Sequence, residues 1–122
     1  MAYLITIGER PDFRVNAEDF KDQLRSGWPS VEFERVMVPN DPLILHWKIE
    51  IGDDIQLGAL HSDKQTISID GFPASVTKFV IWYRKNVPSL YQLFLSHDSS
   101  DEEVEILSDT TEDEILSALN RM

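Results

Sequence analysis

The residues of this sequence that could hold a metal ion are its histidines and the carboxylates near them. His61 and Asp63 lie two positions apart, and Asp70 or the pair His97–Asp98 could complete a ligand set. Histidine and carboxylate are suitable ligands for zinc, manganese or iron. The histidines nevertheless lie in separate segments with no recognised metal-binding spacing. A small metal-dependent hydrolase that uses His61 and Asp63 is therefore an alternative hypothesis, and a hydrogen-bonded core histidine is the competing interpretation of His61.

Two further stretches resemble catalytic or metal-binding motifs. Ser75 and Lys78 have the Ser-x-x-Lys spacing of penicillin-recognising enzymes, but the companion motifs are missing, and Ser75 also suits the first turn of a helix. Residues 98–103 resemble the start of a calcium loop, except that Glu103 occupies the position where the loop needs glycine. We therefore predict no catalytic residue and no cofactor, and a non-enzymatic protein is favoured over an enzyme.

The acidic residues are concentrated towards the C-terminal end. The 122-residue chain has a formal net charge of −11, and from residue 87 onward nine Asp and Glu residues accompany a single basic residue, Arg121. Such a field repels phosphate backbones and anionic lipid surfaces, so we expect neither a nucleic acid nor a membrane as partner. A protein with a basic surface fits better. The candidate interface residues of this segment are Asp101, Glu102, Glu103 and Glu105.

Composition also predicts the compartment and the number of domains. The chain has no cysteine, which excludes disulfides and permits a reducing compartment. The stretch MAYLITIGERPDF lacks the basic region and long apolar run of a secretory signal. The longest apolar run, residues 79–83, is far too short to span a bilayer. We therefore predict a cytoplasmic protein with one domain over residues 1–122.

The elements that position these side chains are arranged around residues 66–88, which predict a strand, a tight turn and a helix. Ile67 and Ile69 alternate with polar residues, as in a half-buried strand. Glycine and proline at 71–73 end that strand. In the helix, apolar residues recur at helical spacing and predict one buried stripe formed by Val76, Phe79, Val80, Tyr83 and Val87.

The remaining segments predict the rest of the fold. Strands are expected over 3–8, 31–38, 43–51, 55–61, 90–95 and 103–107, and helices over 17–26, closed by Gly27, and from 112 to the C-terminal end. A loop at 9–13 and a turn at 39–42 separate the first elements. The order β-α-β-β-β-β-α-β-β-α predicts an α+β domain with an antiparallel or mixed sheet of five to seven short strands and three helices.

The register of the hairpin at residues 43–61 decides which side chains face the core. A three-residue loop would place Ile51 opposite Ile55 and Trp47 opposite Ala59, and it keeps apolar residues beside apolar residues. We therefore prefer this register to that of a two-residue loop. It also turns His61 towards the core.

The predicted central helix carries a second candidate interface. Ile81 points away from the apolar stripe, Trp82 flanks it, and Lys78 and Lys85 share that side. An aromatic residue beside basic ones is typical of a binding surface, for a partner or for a second copy in a homo-oligomer. Alternatively, the acidic segment 102–114 folds across this face, pairs with both lysines and buries Ile81 under the last helix. We favour this alternative.

The C-terminal half resembles one group of known sequences. SIDGFPASVTKFVIWYRKNVP (68–88), LFLSHDSSDEEVEI (93–106) and TTEDEI (110–115) are similar to short uncharacterised bacterial proteins of cyanobacterial type. That group has no established activity, so the resemblance implies no residue role. In size, charge and element order the chain is also similar to small acidic immunity proteins, which neutralise toxins through one acidic face. A small acidic protein-binding or regulatory module is therefore the leading functional hypothesis.

Overall fold

The computed structural model describes residues 3–8, 12–34 and 43–122, and their elements follow the predicted order. Part of the loop predicted at 9–13, the second half of the strand predicted over 31–38 and the turn at 39–42 lie outside the described residues. No described helix is long and apolar enough to cross a membrane. The elements are β1 (Tyr3–Ile7), α1 (Ala17–Gly27), β2 (Glu32–Glu34), β3 (Leu43–Ile51), β4 (Asp54–His61), β5 (Ile67–Asp70), α2 (Pro73–Asn86), β6 (Leu93–His97), β7 (Glu103–Glu105) and α3 (Glu112–Arg121).

All seven described strands form one antiparallel sheet in the order β2-β3-β4-β5-β1-β6-β7. The first strand lies inside the sheet, where Ile5 of β1 pairs with Ile67 of β5 and with Leu95 of β6. All three side chains are fully buried on the same face. We name this the inner face and the opposite one the outer face. The α+β prediction is confirmed, and the sheet is antiparallel throughout.

Helix α2 supplies the centre of the core, as its apolar spacing predicted. The five residues of the predicted stripe are all buried: Val76, Phe79, Val80, Tyr83 and Val87. The ring of Phe79 stacks 6.0 Å from that of Trp47 on β3, which places α2 against the inner face. Helix α1 adds Phe20, whose ring lies 5.4 Å from Trp47 and 5.7 Å from Tyr83.

The turn between β3 and β4 differs from the predicted one. It contains two residues, Gly52 and Asp53, and Ile51 pairs with Asp54. The predicted three-residue loop, with Ile51 opposite Ile55, was wrong. Gly52 has a φ of 60°, which suits glycine at the first position of a two-residue hairpin turn. Turn geometry therefore sets the register here, in preference to the matching of apolar cross-strand pairs.

Space around Trp47 also favours the observed register. Trp47 pairs with Gly58, and the predicted pairing with Ala59 was wrong. A Cβ atom on residue 58 would lie 2.2 Å from the indole of Trp47, so only glycine leaves room for the ring. The shift by one residue turns Ile55 and Leu57 to the outer face, where they are 54% and 46% exposed.

The end of α1 and the start of β6 also differ from the prediction. Helix α1 includes Gly27 and is capped by Trp28, whose N–H donates to the Leu24 carbonyl at 2.8 Å. Gly27 also leaves room for Trp82, since an added Cβ would lie 2.3 Å from the indole nitrogen. Strand β6 begins at Leu93, three residues later than predicted. The N–H of Tyr91 donates to the Pro88 carbonyl at 3.0 Å, so the preceding residues form a turn instead of a strand.

Candidate functional site

The residues of the predicted metal site are held by local hydrogen bonds or lie apart. The carboxylate of Asp63 accepts two backbone N–H bonds, from Gln65 and Thr66, both at 2.9 Å, and the Thr66 hydroxyl at 2.7 Å. Burial opposes its ionisation, but these bonds outweigh burial and lower the pKa of Asp63. His61 is half-buried and follows Leu60, which pairs with Leu45 and Ile67 on the inner face; alternation turns His61 to the outer face, so the prediction that it faces the core was wrong.

The other proposed ligands lie on a different part of the sheet. His97 belongs to β6, and β5 and β1 separate that strand from β4 with His61, so roughly 14 Å divides the two strands at the usual spacing. The Nδ1 atom of His97 accepts from the Ser99 N–H at 3.2 Å and lies 2.6 Å from its hydroxyl. Asp98 is exposed beside it, and Asp70 is exposed at the end of β5. Among the described residues, no three metal-binding side chains gather at one place.

Ser75 has a structural role at the start of α2. Its hydroxyl donates to the carboxylate of Asp54, which also accepts the N–H of Phe72 at 2.9 Å. Phe72 has no capping side-chain oxygen, so Asp54 serves as the cap from 18 residues away. Burial acts against the charged form, yet the hydrogen bonds prevail and lower the pKa of Asp54. Ser75 is buried in this arrangement and is not exposed as a nucleophile.

The predicted interface on α2 is partly occupied by the protein itself. Ile81 and Trp82 are half-buried against the core. The Trp82 ring lies 5.3 Å from Phe79 and 6.0 Å from Trp28, within an aromatic cluster. Lys78 and Lys85 are exposed.

The alternative prediction, that the acidic segment folds across α2, has two parts with different outcomes. Helix α3 does pack against α2, and its side chains Ile115, Ala118 and Leu119 are buried. However, in the described part of the chain neither Lys78 nor Lys85 forms an ion pair. The last helix thus covers α2 with apolar side chains, and its acids are not neutralised by these lysines.

The acids of the C-terminal segment remain exposed. Between residues 101 and 114 all eight acidic side chains are accessible to solvent, and none forms an ion pair with a described basic residue. Thr111 and Glu114 form a capping box at the start of α3, and Asp113 and Glu114 of this first turn line the same groove as Glu105 of β7. These acids are Asp101, Glu102, Glu103, Glu105, Asp109, Glu112, Asp113 and Glu114.

A groove of about 490 Å³ lies between β7 and α3, and we name it the edge groove. Its walls combine apolar and acidic side chains, and Leu107 within it is 52% exposed. An apolar floor with acidic rims suits a ligand that carries both apolar and basic groups. The lining residues are Val104, Glu105, Leu107, Thr110, Asp113, Glu114, Ser117, Ala118 and Arg121.

A buried arginine fixes the position of this groove relative to α2. The Arg84 guanidinium donates to the carbonyls of Tyr91 (3.1 Å), Ile106 (3.2 Å), Val87 (3.1 Å) and Pro88 (2.9 Å). Burial lowers the pKa of Arg84. Because Ile106 directly follows β7, Arg84 ties the end of that strand to the C-terminal end of α2.

The sequence indicated the acids of this site but not its apolar floor. Asp101, Glu102, Glu103 and Glu105 were predicted interface residues, and all four are exposed. The contributions of α3 were missed, although the amphipathic spacing of that helix was visible in the sequence. No protein-family model, curated protein or solved structure matches the chain.

Proposed function

We propose that the protein is a small acidic, non-enzymatic module whose edge groove binds the basic surface of a partner protein. One observation carries the proposal: residues 101–114 expose eight acids without an ion pair to a described base, and three of them, Glu105, Asp113 and Glu114, line a groove with an apolar floor. Surface acids of a domain without such a role are commonly interspersed with bases, whereas residues 101–122 contain one basic residue, Arg121.

The side chains that suggested chemistry support this choice over catalysis. Ser75 is buried and bonded to Asp54, and Asp63 is bonded within its own turn. A catalytic nucleophile must be accessible to its substrate, and a metal site needs several ligands directed at one point. The acids of residues 101–114 instead face solvent without a described base, and such acids act mainly through long-range attraction.

The proposal makes association sensitive to salt. Attraction between exposed charges is screened beyond about 8 Å at physiological ionic strength, so binding through this surface weakens as salt rises. Charges at the rim act chiefly on the association rate, whereas the apolar floor acts on dissociation. High salt should therefore slow association more than it accelerates dissociation.

The test is an affinity capture from a lysate of the source organism with three baits, followed by mass spectrometry. The first bait is the wild-type protein, and the second carries Glu103→Gln and Glu105→Gln at β7. The third carries Glu32→Gln and Glu34→Gln on β2, at the opposite end of the sheet. Both double variants change the net charge equally, so they separate a local site from a general charge effect.

The expected result is a basic protein that the wild-type and β2-variant baits retain at low salt and release at high salt. The β7 variant should retain much less of it. Equal capture by all three baits would show that the edge groove is not the binding site. A complete lack of specific capture at low salt would count against the binding-module proposal itself.

A further inference from the structure

Strand β7 is the last strand of the sheet, and no described strand other than β6 pairs with it. In an antiparallel pair, hydrogen-bonded and non-bonded residue pairs alternate. The N–H of Ile106 donates to the Leu93 carbonyl at 2.7 Å, so Val104 also bonds to β6, whereas Glu103 and Glu105 direct their backbone groups away from it. In the described chain no hydrogen bond uses those outward groups.

The two faces of β7 differ in chemistry. Glu103 and Glu105 pair with Ser96 and Phe94, so their side chains lie on the outer face. Val104 pairs with the buried Leu95 and lies on the inner face, where it lines the edge groove. A strand placed beside β7 would therefore meet two acids on one face and the edge groove, with its apolar floor and acidic rims, on the other.

We propose that the partner binds as an additional strand: an extended segment with basic–apolar–basic alternation pairs with β7. This inference rests on the proposed function and names the chemistry of the ligand. Residues of the segment opposite Glu103 and Glu105 accept and donate backbone bonds, and their basic side chains face the two carboxylates across about 5 Å. The residue between them turns its apolar side chain to the inner face, into the edge groove.

Charge decides between this occupant and a second copy of the chain. If two copies paired through β7, glutamates would face glutamates, and like charges directly opposite each other are destabilising. The same acids protect the edge against self-association and favour a basic strand. The occupant is therefore a segment of a different, basic protein.

The opposite end of the sheet has a similar sequence but a different environment. There, β2 carries Glu32 and Glu34 around Phe33. The carboxylate of Glu32 forms an ion pair with Lys48 at 3.3 Å, and Arg25 of α1 lies 5.0 Å from the centre of the Phe33 ring. Glu32 and Phe33 thus already contact basic side chains of the protein itself. This makes β2 a matched control for β7.

The experiment compares two fluorescent peptides of identical composition by anisotropy at low salt. One has the alternating core Lys-Leu-Lys-Leu-Lys, and the other has the blocked core Lys-Lys-Lys-Leu-Leu. We expect the alternating peptide to bind about tenfold more tightly, which corresponds to about 1.4 kcal/mol. The variant with Glu103→Gln and Glu105→Gln should lose this preference, whereas the one with Glu32→Gln and Glu34→Gln should keep it.

Backbone pairing is tested by methylation of peptide nitrogens. The amides of the lysines opposite the glutamates face β7, whereas the leucine amides face away. N-methylation of those lysines should therefore weaken binding much more than N-methylation of the leucines. In NMR, the amide protons of Glu103 and Glu105 should exchange more slowly with solvent in the complex.

The possible results separate the two proposals. Equal affinity for the two peptides, lost in the β7 variant, would overturn strand addition and leave the acidic binding site in place. Equal effects of the two methylation patterns would likewise contradict pairing with β7. If neither peptide binds at low salt, both the strand addition and the proposed function are refuted.

Discussion

The contact between Gly58 and Trp47 offers a direct test of the fold, through the substitution Gly58→Ala. The added methyl group would lie 2.2, 2.3 and 2.5 Å from three atoms of the indole, where ordinary contacts exceed 3.4 Å. The ring is almost fully buried, with Phe20 at 5.4 Å and Phe79 at 6.0 Å, so it has no free space to move into.

The expected loss of stability follows from that overlap. Overpacking a core ordinarily costs about 1–3 kcal/mol, and replacing glycine by alanine returns about 0.4–1 kcal/mol through the unfolded chain. Because the overlap is about 1 Å at each of three atoms that cannot yield, we expect a net loss of about 3 kcal/mol. In a domain of this size, such a loss lowers the melting temperature by roughly 10 °C.

Urea denaturation followed by circular dichroism measures this loss, with two glycine variants as controls. Gly27→Ala also places a Cβ close to an indole, that of Trp82, but this ring is half-buried and can move outwards. Gly52→Ala meets no atom within 4 Å and costs only the strain of its positive φ, about 1–2 kcal/mol.

Two results would refute this explanation. If Gly58→Ala costs no more than Gly27→Ala, the ring of Trp47 does not occupy the space above residue 58. In the register of a three-residue loop, Gly58 would lie on the outer face and its substitution would be harmless. The double variant with Trp47→Leu should be less destabilised than the sum of the two single variants, and simple additivity would contradict the contact.

Three further predictions concern α2 and its caps, each measured by urea denaturation. Phe79→Ala should cost about 3–5 kcal/mol, because the ring is fully buried, and half-buried Ile81→Ala should cost clearly less; equal losses would show that the helix face is wrong. Arg84→Met should cost about 2–4 kcal/mol, since it removes a donor from four carbonyls, of which that of Pro88 keeps the Tyr91 N–H, and wild-type stability would contradict this. Because the pKa of Asp54 is lowered in the folded protein, its contribution to the free energy of unfolding is present above about pH 4 and is lost as the pH falls further. Asp54→Asn should therefore be less stable than the wild type at neutral pH and equally stable in acid. A stability difference that does not change with pH would refute the cap.

The parts of the fold that could be predicted depend on local periodicity. The stripe of α2 was predicted residue by residue, because an apolar side chain every three or four positions fits one helix face. The order of elements followed for the same reason. The hairpin register could not be predicted, because it depends on the turn type and on a contact between two particular residues, Trp47 and Gly58. In that register Gln56 pairs with Ile49 and is fully buried.

The candidate site was predictable only in its charge. The acids from Asp101 to Glu105 were visible as an uneven distribution of charge along the chain. The edge groove requires α3 to lie beside β7, and that placement depends on Arg84 and on the packing of α3 against α2. Such contacts join segments more than twenty residues apart, and no local pattern in the sequence predicts them.

The cap that Asp54 provides to α2 has a consequence for how this sequence can change over time. Surface turns usually diverge freely, because their side chains do little beyond meeting solvent. Here the residue that follows the turn 52–53 accepts bonds from Phe72 and Ser75. In related chains, substitutions at position 54 should therefore be accompanied by substitutions at position 75, whereas position 53 should vary independently of both.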